Sequence, residues 1–390
     1  MKALHRPLAP RDPAEEHRTA TPLELFFDLV FVVAIASAAG ELHHGLAESH
    51  YDAVLGFVMA FIAIWWAWMN FTWFAAAFDT DDWLYRVMTI VQMTGVLVLA
   101  AGVHAAMVDF DFLTVTWGYV IMRLAMVCQW LRAAASDPEA RSTALRFAAG
   151  IALVQALWLA RLYLLDEAWQ FWTFFALVAA ELVVPVWAES HRRTNWHPHH
   201  IAERFGLFTL LLLGESLLAS ANAMFDALAE GEHIPELLTL AASGIVVAAG
   251  MWWLYFAREQ HGRLTTLRSG FTFGYLHYLI FAAAGAVSAG VEVEIDSITG
   301  HTEISHEIAG LALTIPIALF VLSAWAILLQ PTLSRGASAS VVVGAILIAA
   351  SGLLETGEYA VSALLLVAVV VVLEADARRR GSIAESVRTI

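Results

Sequence analysis

Residues 23–40 read LELFFDLVFVVAIASAAG, an apolar run that two carboxylates interrupt. A helix needs about 20 such residues, at 1.5 Å each, to cross roughly 30 Å of hydrocarbon. The whole chain of 390 residues is 60% hydrophobic and 15% charged, whereas soluble domains carry about 25% charged residues. We therefore predict an all-α, polytopic helical membrane protein.

Further runs of similar length and composition follow along the chain, and we predict twelve membrane spans in all. They are residues 23–40, 53–74, 86–106, 112–132, 145–163, 168–188, 204–224, 237–257, 271–291, 308–329, 337–354 and 357–375.

The basic residues fall on one side when these spans are alternated across the bilayer with the N-terminus inside. All but two of the 21 lysines and arginines then lie in inner loops or at inner helix ends, the exceptions being Arg123 and Arg161. Cytoplasmic loops carry such an excess of basic residues. The pattern predicts a bacterial inner-membrane protein with both termini cytoplasmic.

Short motifs repeat between the two halves of the chain. Trp65-Trp66 recurs as Trp252-Trp253, 187 residues later. We predict two parallel six-helix repeats, because six spans return the chain to the same side of the bilayer. The predicted organisation is a cytoplasmic tail, two transmembrane halves and a second cytoplasmic tail, at residues 1–20, 21–190, 191–376 and 377–390.

Ionisable side chains in or next to the predicted spans are the candidate functional residues, because each costs a few kcal/mol in hydrocarbon and usually pairs or lines a polar path. They are Glu24, Asp28, Arg86, Arg123, Glu181, Glu203, Arg204, Glu215 and His277.

Glu24 and Asp28 are one helical turn apart and therefore share a face. They form either a proton or cation site or a structural ion pair with an arginine. Arg86 is a candidate partner for either of them. Arg123, about halfway along its span, needs a carboxylate, and Asp28, Glu181 and Glu215 are the alternatives.

The predicted seventh span places Arg204 and Glu215 on one face, with Gly214 beside the glutamate. This glycine either packs against a neighbouring helix or opens the backbone where a small solute passes. His277 is either a proton relay or a packed, hydrogen-bonded histidine. Glu181 has apolar neighbours, so it either pairs or stays protonated.

Aromatic and acidic residues outside this set are explained by helix anchoring, packing and solvation. Trp65, Trp66 and Trp68 are expected to anchor and pack their helix, with substrate stacking as the alternative. The predicted outer loops are acidic and contain histidines, including His43 and Glu294, and we expect them to be solvated. Collection of cations at that face is the alternative.

Several classes of function are excluded. The single cysteine, Cys128, allows no intrachain disulfide or cysteine-based metal site. A net charge of -15 argues against nucleic-acid binding. No catalytic triad, zinc motif or phosphate-binding loop is present, so we predict no enzyme, cofactor or metal. The expected partners are the lipid bilayer, a proton or cation, a small solute and, as an open alternative, further copies of this chain.

Two long motifs resemble the bacterial low temperature requirement A family. They are TPLELFFDLVFV at residues 21–32 and HIAERFGLF at residues 200–208, the latter followed by LGES at 213–216. The similarity runs from about residue 15 to 375. It implies a multi-pass inner-membrane protein associated with growth at low temperature, without an established reaction. Glu24, Asp28, Glu203, Arg204 and Glu215 carry over as motif positions with no assigned chemistry.

Three functions are consistent with these features. A transporter or permease of a small solute, proton-linked through Asp28 or Glu215, predicts a polar cavity that these carboxylates reach. A cation channel predicts a pore lined by the first and seventh spans. Residues 26–31 are similar to the Phe-Ser-Asp signature of a family of potassium channels, but Phe27 replaces the serine and Leu207 stands at the corresponding position of the second half, and both departures count against a channel. A non-transporting protein of cold or envelope adaptation predicts charges that all pair, with no cavity.

Overall fold

The computed structural model describes residues 7–12, 15 and 19–388, and it is almost entirely helical. Side chains are described as far as residue 380, except at positions 79, 167, 219, 223, 226, 227 and 230. The predictions for Lys2, Arg6 and Arg18 in the N-terminal tail, and for the side chain of Arg388, lie outside these residues.

The described residues form helices that follow one another through short connections. They are α1 (Pro22–Ala47), α2 (Ala53–Ala77), α3 (Trp83–Ala101), α4 (Val103–Val108), α5 (Leu113–Ser136), α6 (Arg141–Leu164), α7 (Glu167–Glu189), α8 (Pro198–Glu230), α9 (Ile234–Phe256), α10 (Leu267–Thr299), α11 (His306–Ala324), α12 (Arg335–Ser351) and α13 (Glu358–Arg388). A π-helical turn, Trp325–Leu329, extends α11, and short 3₁₀ turns cover His261–Arg263 and Gln330–Thr332. Two short strands, β1 (Ala9–Pro10) and β2 (Phe78–Asp79), pair antiparallel.

Ten helices in the described part of the chain are long and apolar enough to cross a membrane. They are α1, α2, α3, α6, α7, α8, α9, α10, α11 and α13. The protein is therefore a multi-pass helical membrane protein. Each predicted span overlaps a helix, but those at 112–132 and 337–354 correspond to α5 and α12, which are not among the ten. The count of twelve spans and the two-repeat arrangement stay predictions.

Local sequence explains where α1 begins. Pro22 occupies its first turn, where a missing N–H is harmless. The backbone N–H of Thr21 donates to Glu24 Oε2 at 2.7 Å, and the backbone N–H of Glu24 donates to Thr21 Oγ1 at 3.2 Å. This reciprocal pair is a capping box. It fixes the position of Glu24 at the start of the helix.

The chain forms two compact units. The first contains residues 1–38 and 59–205, and the second contains residues 39–58 and 206–390. Helices α1, α2 and α8 each contribute residues to both units. The division at residue 190, predicted from the repeated motifs, is not tested by this grouping and stays a prediction.

Close helix contacts in both units depend on glycine. In the first unit, a Cβ added to Gly118 of α5 would lie 2.4 Å from the backbone nitrogen of Leu99 in α3. In the second, a Cβ on Gly290 of α10 would lie 2.5 Å from the carbonyl oxygen of Ala312 in α11. Both distances are shorter than any normal contact, so these helix pairs pack backbone to backbone.

The expectation that Glu294 is a solvated loop residue is wrong. Helix α10 continues to Thr299, well past the predicted span end at residue 291, and Glu294 is only 2% exposed. His43 likewise lies within α1, on the part that belongs to the second unit.

Candidate functional site

Five side chains of the first unit form a buried polar group that we call the Arg204 cluster. Its members come from α1, α2 and α8 and are Glu24, Asp28, Trp68, His200 and Arg204. Each is at most 1% exposed. Burial of this many ionisable groups is costly unless they contact one another.

Arg204 holds both carboxylates of the cluster. Its Nε donates to Asp28 Oδ2 at 3.1 Å and its Nη2 donates to Asp28 Oδ1 at 2.5 Å, which is a two-point ion pair. Its Nη1 lies 3.3 Å from Glu24 Oε1. Such planar, two-point recognition of a carboxylate is specific to arginine. One guanidinium therefore joins two acids that are one turn apart on α1.

Two further contacts complete the cluster. The indole N–H of Trp68 donates to Asp28 Oδ1 at 2.7 Å. His200 Nε2 lies 3.1 Å from Glu24 Oε1, on α8 one turn before Arg204. Imidazole and carboxyl groups can each bind a proton, and two such groups in contact titrate as a coupled pair. The cluster thus contains three groups that can hold a proton, connected by one arginine.

A polar cavity of about 440 Å³ lies in the first unit and has Glu24 in its wall. Its other polar wall residues include Arg11, Thr21, Tyr85 and Arg86. Glu24 therefore connects the buried cluster to a space large enough for many water molecules. Asp28 lies one turn deeper and is not part of the wall.

A second buried ion pair in the same unit joins Arg123 of α5 to Glu181 of α7. Arg123 Nη2 lies 2.8 Å from Glu181 Oε2, with both side chains almost fully buried. Glu181 also accepts from Trp66 Nε1 at 3.0 Å and from Gln155 Nε2 at 2.7 Å, and it is hydrogen-bonded to Tyr119. Of the partners that the sequence left open for Arg123, the structure selects Glu181.

Sequence reasoning missed the role of the tryptophans on α2. Trp66 and Trp68 were expected to anchor and pack, yet each donates its indole N–H to a buried carboxylate. A signal was present, because a buried indole N–H needs an acceptor and apolar spans offer few. Two unpaired acids elsewhere in the sequence could have been matched to two tryptophans in the same helix.

The interpretation of Arg86 as a partner for Glu24 or Asp28 is wrong. Arg86 instead pairs with Asp81, with Nε to Oδ1 at 2.6 Å and Nη2 to Oδ2 at 2.5 Å. Both side chains are about 60% exposed, at 59% and 61%. Asp81 is only five residues away at the start of α3, so a local surface pair forms more readily than a buried one.

The remaining candidates do not join the Arg204 cluster. Glu203 is partly exposed, and its buried Oε2 has no hydrogen-bond partner among the described residues. Glu215 is partly exposed in the second unit, where the like charge of Glu292 on α10 repels it. His277 is fully buried, with Nδ1 at 2.6 Å from the carbonyl oxygen of Phe273 and Nε2 at 3.1 Å from the hydroxyl of Tyr255. This environment is that of a packed, hydrogen-bonded histidine.

The second unit contains two sets of acidic side chains whose partners the sequence did not predict. The first set surrounds His43. His43 Nδ1 lies 3.1 Å from Glu292 Oε2 and its Nε2 lies 2.6 Å from Asp296 Oδ2. Both ring nitrogens can donate only when the imidazole is protonated. His43 therefore bridges two carboxylates of α10.

Glu294 and Glu358 form a buried carboxyl pair in the second unit. The two side chains, on α10 and α13, interact with each other electrostatically and are 2% and 5% exposed. Two carboxylates buried together repel each other, so the pair favours a state with fewer than two charges. Neither forms a salt bridge with a described basic residue. Over the described residues, no three histidine, cysteine or acidic side chains are arranged to hold a metal ion.

Comparison with known proteins assigns the chain to a family. The profile described as "Bacterial low temperature requirement A protein (LtrA)" matches residues 19–375. The chain belongs to the LtrA family. An uncharacterised protein of Rhizobium meliloti (strain 1021) is 28% identical over 288 residues, which cover 67% of each chain. No solved structure matches. The LtrA match includes both motifs that supply the Arg204 cluster, at residues 21–32 and 200–208.

Proposed function

We propose that this LtrA protein is a proton-linked transporter or permease of a small solute, with the Arg204 cluster as its proton site. The membrane is the bacterial inner membrane, and both termini are cytoplasmic, as the distribution of basic residues predicts. One observation carries the proposal. Arg204 links Asp28 to Glu24, which contacts His200 on one side and the polar cavity on the other.

We infer a route for the proton from these contacts. Water in the cavity delivers it to Glu24, the 3.1 Å contact passes it to His200, and Arg204 connects Glu24 electrostatically to Asp28. Chains of acids and histidines inside membrane proteins are typical proton relays. The Arg123–Glu181 pair lacks such a histidine and does not border this cavity.

Proton binding can also change the conformation of the first unit. When a carboxyl group becomes neutral, its attraction to Arg204 falls, and the guanidinium then favours the other carboxylate. Since the acids lie on α1 and the arginine on α8, this choice alters the contact between two helices. A transporter needs an element with two arrangements whose balance depends on the bound ion.

A specific observation favours a second candidate, a non-transporting membrane protein of cold or envelope adaptation. Arg123 and Glu181 form a buried ion pair, as a structural role requires, and Arg204 pairs with Asp28. The cavity beside Glu24 counts against this alternative, since paired structural charges need no access to water. A cation channel has no comparable support, because the cluster side chains are at most 1% exposed.

Proton flux in reconstituted liposomes tests the proposal. Vesicles containing a trapped pH dye are given an imposed pH gradient, with a potassium ionophore to dissipate charge. We expect a flux above empty liposomes that Asp28→Asn and Glu24→Gln each abolish. The matched control is Glu181→Gln, which also removes a buried charge but lies outside the cluster, and Asp81→Asn controls for surface pairs. Equal flux in wild type and Asp28→Asn would exclude the assigned proton site.

A further inference from the structure

The first unit contains a second, aromatic cavity that the proposed function does not use. Its volume is about 40 Å³, and it lies between α2, α5, α6 and α7. The ring-bearing residues of its wall are Trp65, Trp66, Phe112, Tyr119, Trp158 and Phe174. A water molecule needs about 10–15 Å³ of such space, so this aromatic cavity has room for one small organic group.

One polar atom in the wall has no partner. The indole Nε1 of Trp158 is buried and makes no hydrogen bond with any described residue, and the residue is only 8% exposed. Buried indole N–H groups normally find an acceptor. Trp158 therefore offers a donor to a ligand of the cavity.

A buried arginine lies beside the same rings. Arg161 lies three residues after Trp158 on α6, and side chains three or four residues apart lie on one face of a helix. Its guanidinium carbon is 5.7 Å from the ring centre of Phe112, 5.6 Å from that of Trp158 and 5.7 Å from that of Phe174. All three rings belong to the cavity wall.

The charge of Arg161 is not balanced by a described carboxylate. Its Nε and Nη2 both donate to the carbonyl oxygen of Gln170, at 3.0 and 2.8 Å, while Nη1 is buried without a hydrogen bond. The side chain is only 3% exposed and forms no salt bridge with a described residue. A buried cation without a described counter-ion favours the binding of an anion.

The wall of the aromatic cavity selects the kind of anion. Glu181 is its one described carboxylate, and Arg123 already neutralises that charge. Among the described side chains the local excess is therefore positive, from Arg161, whereas the space itself is bounded by apolar rings. An inorganic anion would lose its hydration against those rings without compensation. A compact apolar group with one carboxylate matches both parts of the site.

We infer that the aromatic cavity binds a short-chain monocarboxylate, with its carboxylate at Trp158 Nε1 and Arg161 Nη1 and its alkyl group against the rings. The site is separate from the Arg204 cluster and is independent of whether protons are transported.

Calorimetric titration of the purified full-length protein in detergent tests the site. The probes are butyrate, the neutral isostere butyramide and the cation n-butylammonium. We expect saturable binding of butyrate that is at least about tenfold tighter than that of butyramide, since a charge-assisted hydrogen bond is lost. Arg161→Gln should weaken butyrate binding by a similar factor. The matched control is Arg146→Gln, since Arg146 also lies on α6 over a tryptophan, Trp187, but is only partly buried.

If Arg161→Gln does not fold, the three probes still test the inference, because they compare ligands of different charge on the wild-type protein. Absence of saturable butyrate binding would overturn the inference. So would equal affinity for butyramide, or unchanged butyrate binding in a folded Arg161→Gln variant. Tighter binding of butylammonium would assign the cavity to organic cations instead.

Discussion

Arg204 and Asp28 are 176 residues apart in the sequence and form a buried two-point ion pair, with nitrogen–oxygen distances of 2.5 and 3.1 Å. A parallel contact joins His200 to Glu24 at 3.1 Å. The two motifs at residues 21–32 and 200–208, far apart in the chain, thus meet face to face. Four ionisable positions of these motifs, Glu24, Asp28, His200 and Arg204, are explained as parts of one cluster, whereas Glu203 lies outside it.

Asp28→Asn is expected to destabilise the protein by about 3 kcal/mol. Removing one member of a buried pair leaves the other charge uncompensated, which costs about 3–5 kcal/mol. Retention of Glu24 beside Arg204 keeps the loss at the lower end. The measurement is unfolding by SDS titration in mixed micelles. The control, Asp81→Asn, removes an exposed pair and should cost less than about 1 kcal/mol. Equal losses for the two variants would show that the buried pair has no special weight.

Trp68→Phe should cost about 2 kcal/mol in the same assay. The substitution keeps an aromatic ring but removes the N–H that donates to Asp28, and hydrogen bonds to charged groups contribute about 1.5–3 kcal/mol. Trp253→Phe is the matched control, because Trp253 donates to Glu374 at 2.9 Å while exposed. If Trp68→Phe were as mild as this control, the indole would be acting through packing alone.

Glu294→Gln should change the free energy of unfolding by less than about 1 kcal/mol, although Glu294 is as buried as Asp28. Its partner is another carboxyl group rather than an arginine. A glutamine amide in this place removes the repulsion between two acids and can donate a hydrogen bond to Glu358. A loss comparable to that of Asp28→Asn would indicate a required charge at Glu294, contrary to this assignment.

Gly118→Ala should destabilise the first unit by about 2 kcal/mol. The new methyl group would lie 2.4 Å from Leu99 N and 2.7 Å from the Gly95 carbonyl oxygen, and overpacking costs about 1–3 kcal/mol. Gly40→Ala is the control within a helix, since no atom lies within 4 Å of its added Cβ. It should be neutral or slightly stabilising, as alanine is the better helix former. A neutral Gly118→Ala would mean that α3 and α5 separate at little cost.

Hydropathy located the helices because length and apolar content are local properties of the sequence. The predicted helix ends were less accurate. Glu294 illustrates this, because tertiary contacts allow α10 to continue beyond the apolar run. The sequence reasoning also did not predict an ion pair between near neighbours, since Arg86 contacts the nearby Asp81 rather than an acid within the membrane.

The partners within the site could be narrowed from sequence but not chosen. Arg123 needed a carboxylate, and three were available, because helix order does not determine which faces meet. Only the packing of α5 against α6 and α7 brings Glu181 to it, together with Gln155. The same reason hid the link between His200 and Glu24, which depends on how α1 and α8 pack.

Infrared difference spectroscopy of the carboxyl stretch tests the central claim, that the Arg204 cluster takes up an exchangeable proton. Spectra of the reconstituted protein are compared between alkaline and acidic buffer, in H₂O and D₂O. We predict a protonated-carboxyl band in the wild type that shifts in D₂O and is lost or displaced in both Asp28→Asn and Glu24→Gln, but persists in Glu181→Gln. A band that is unchanged in both cluster variants would contradict the account.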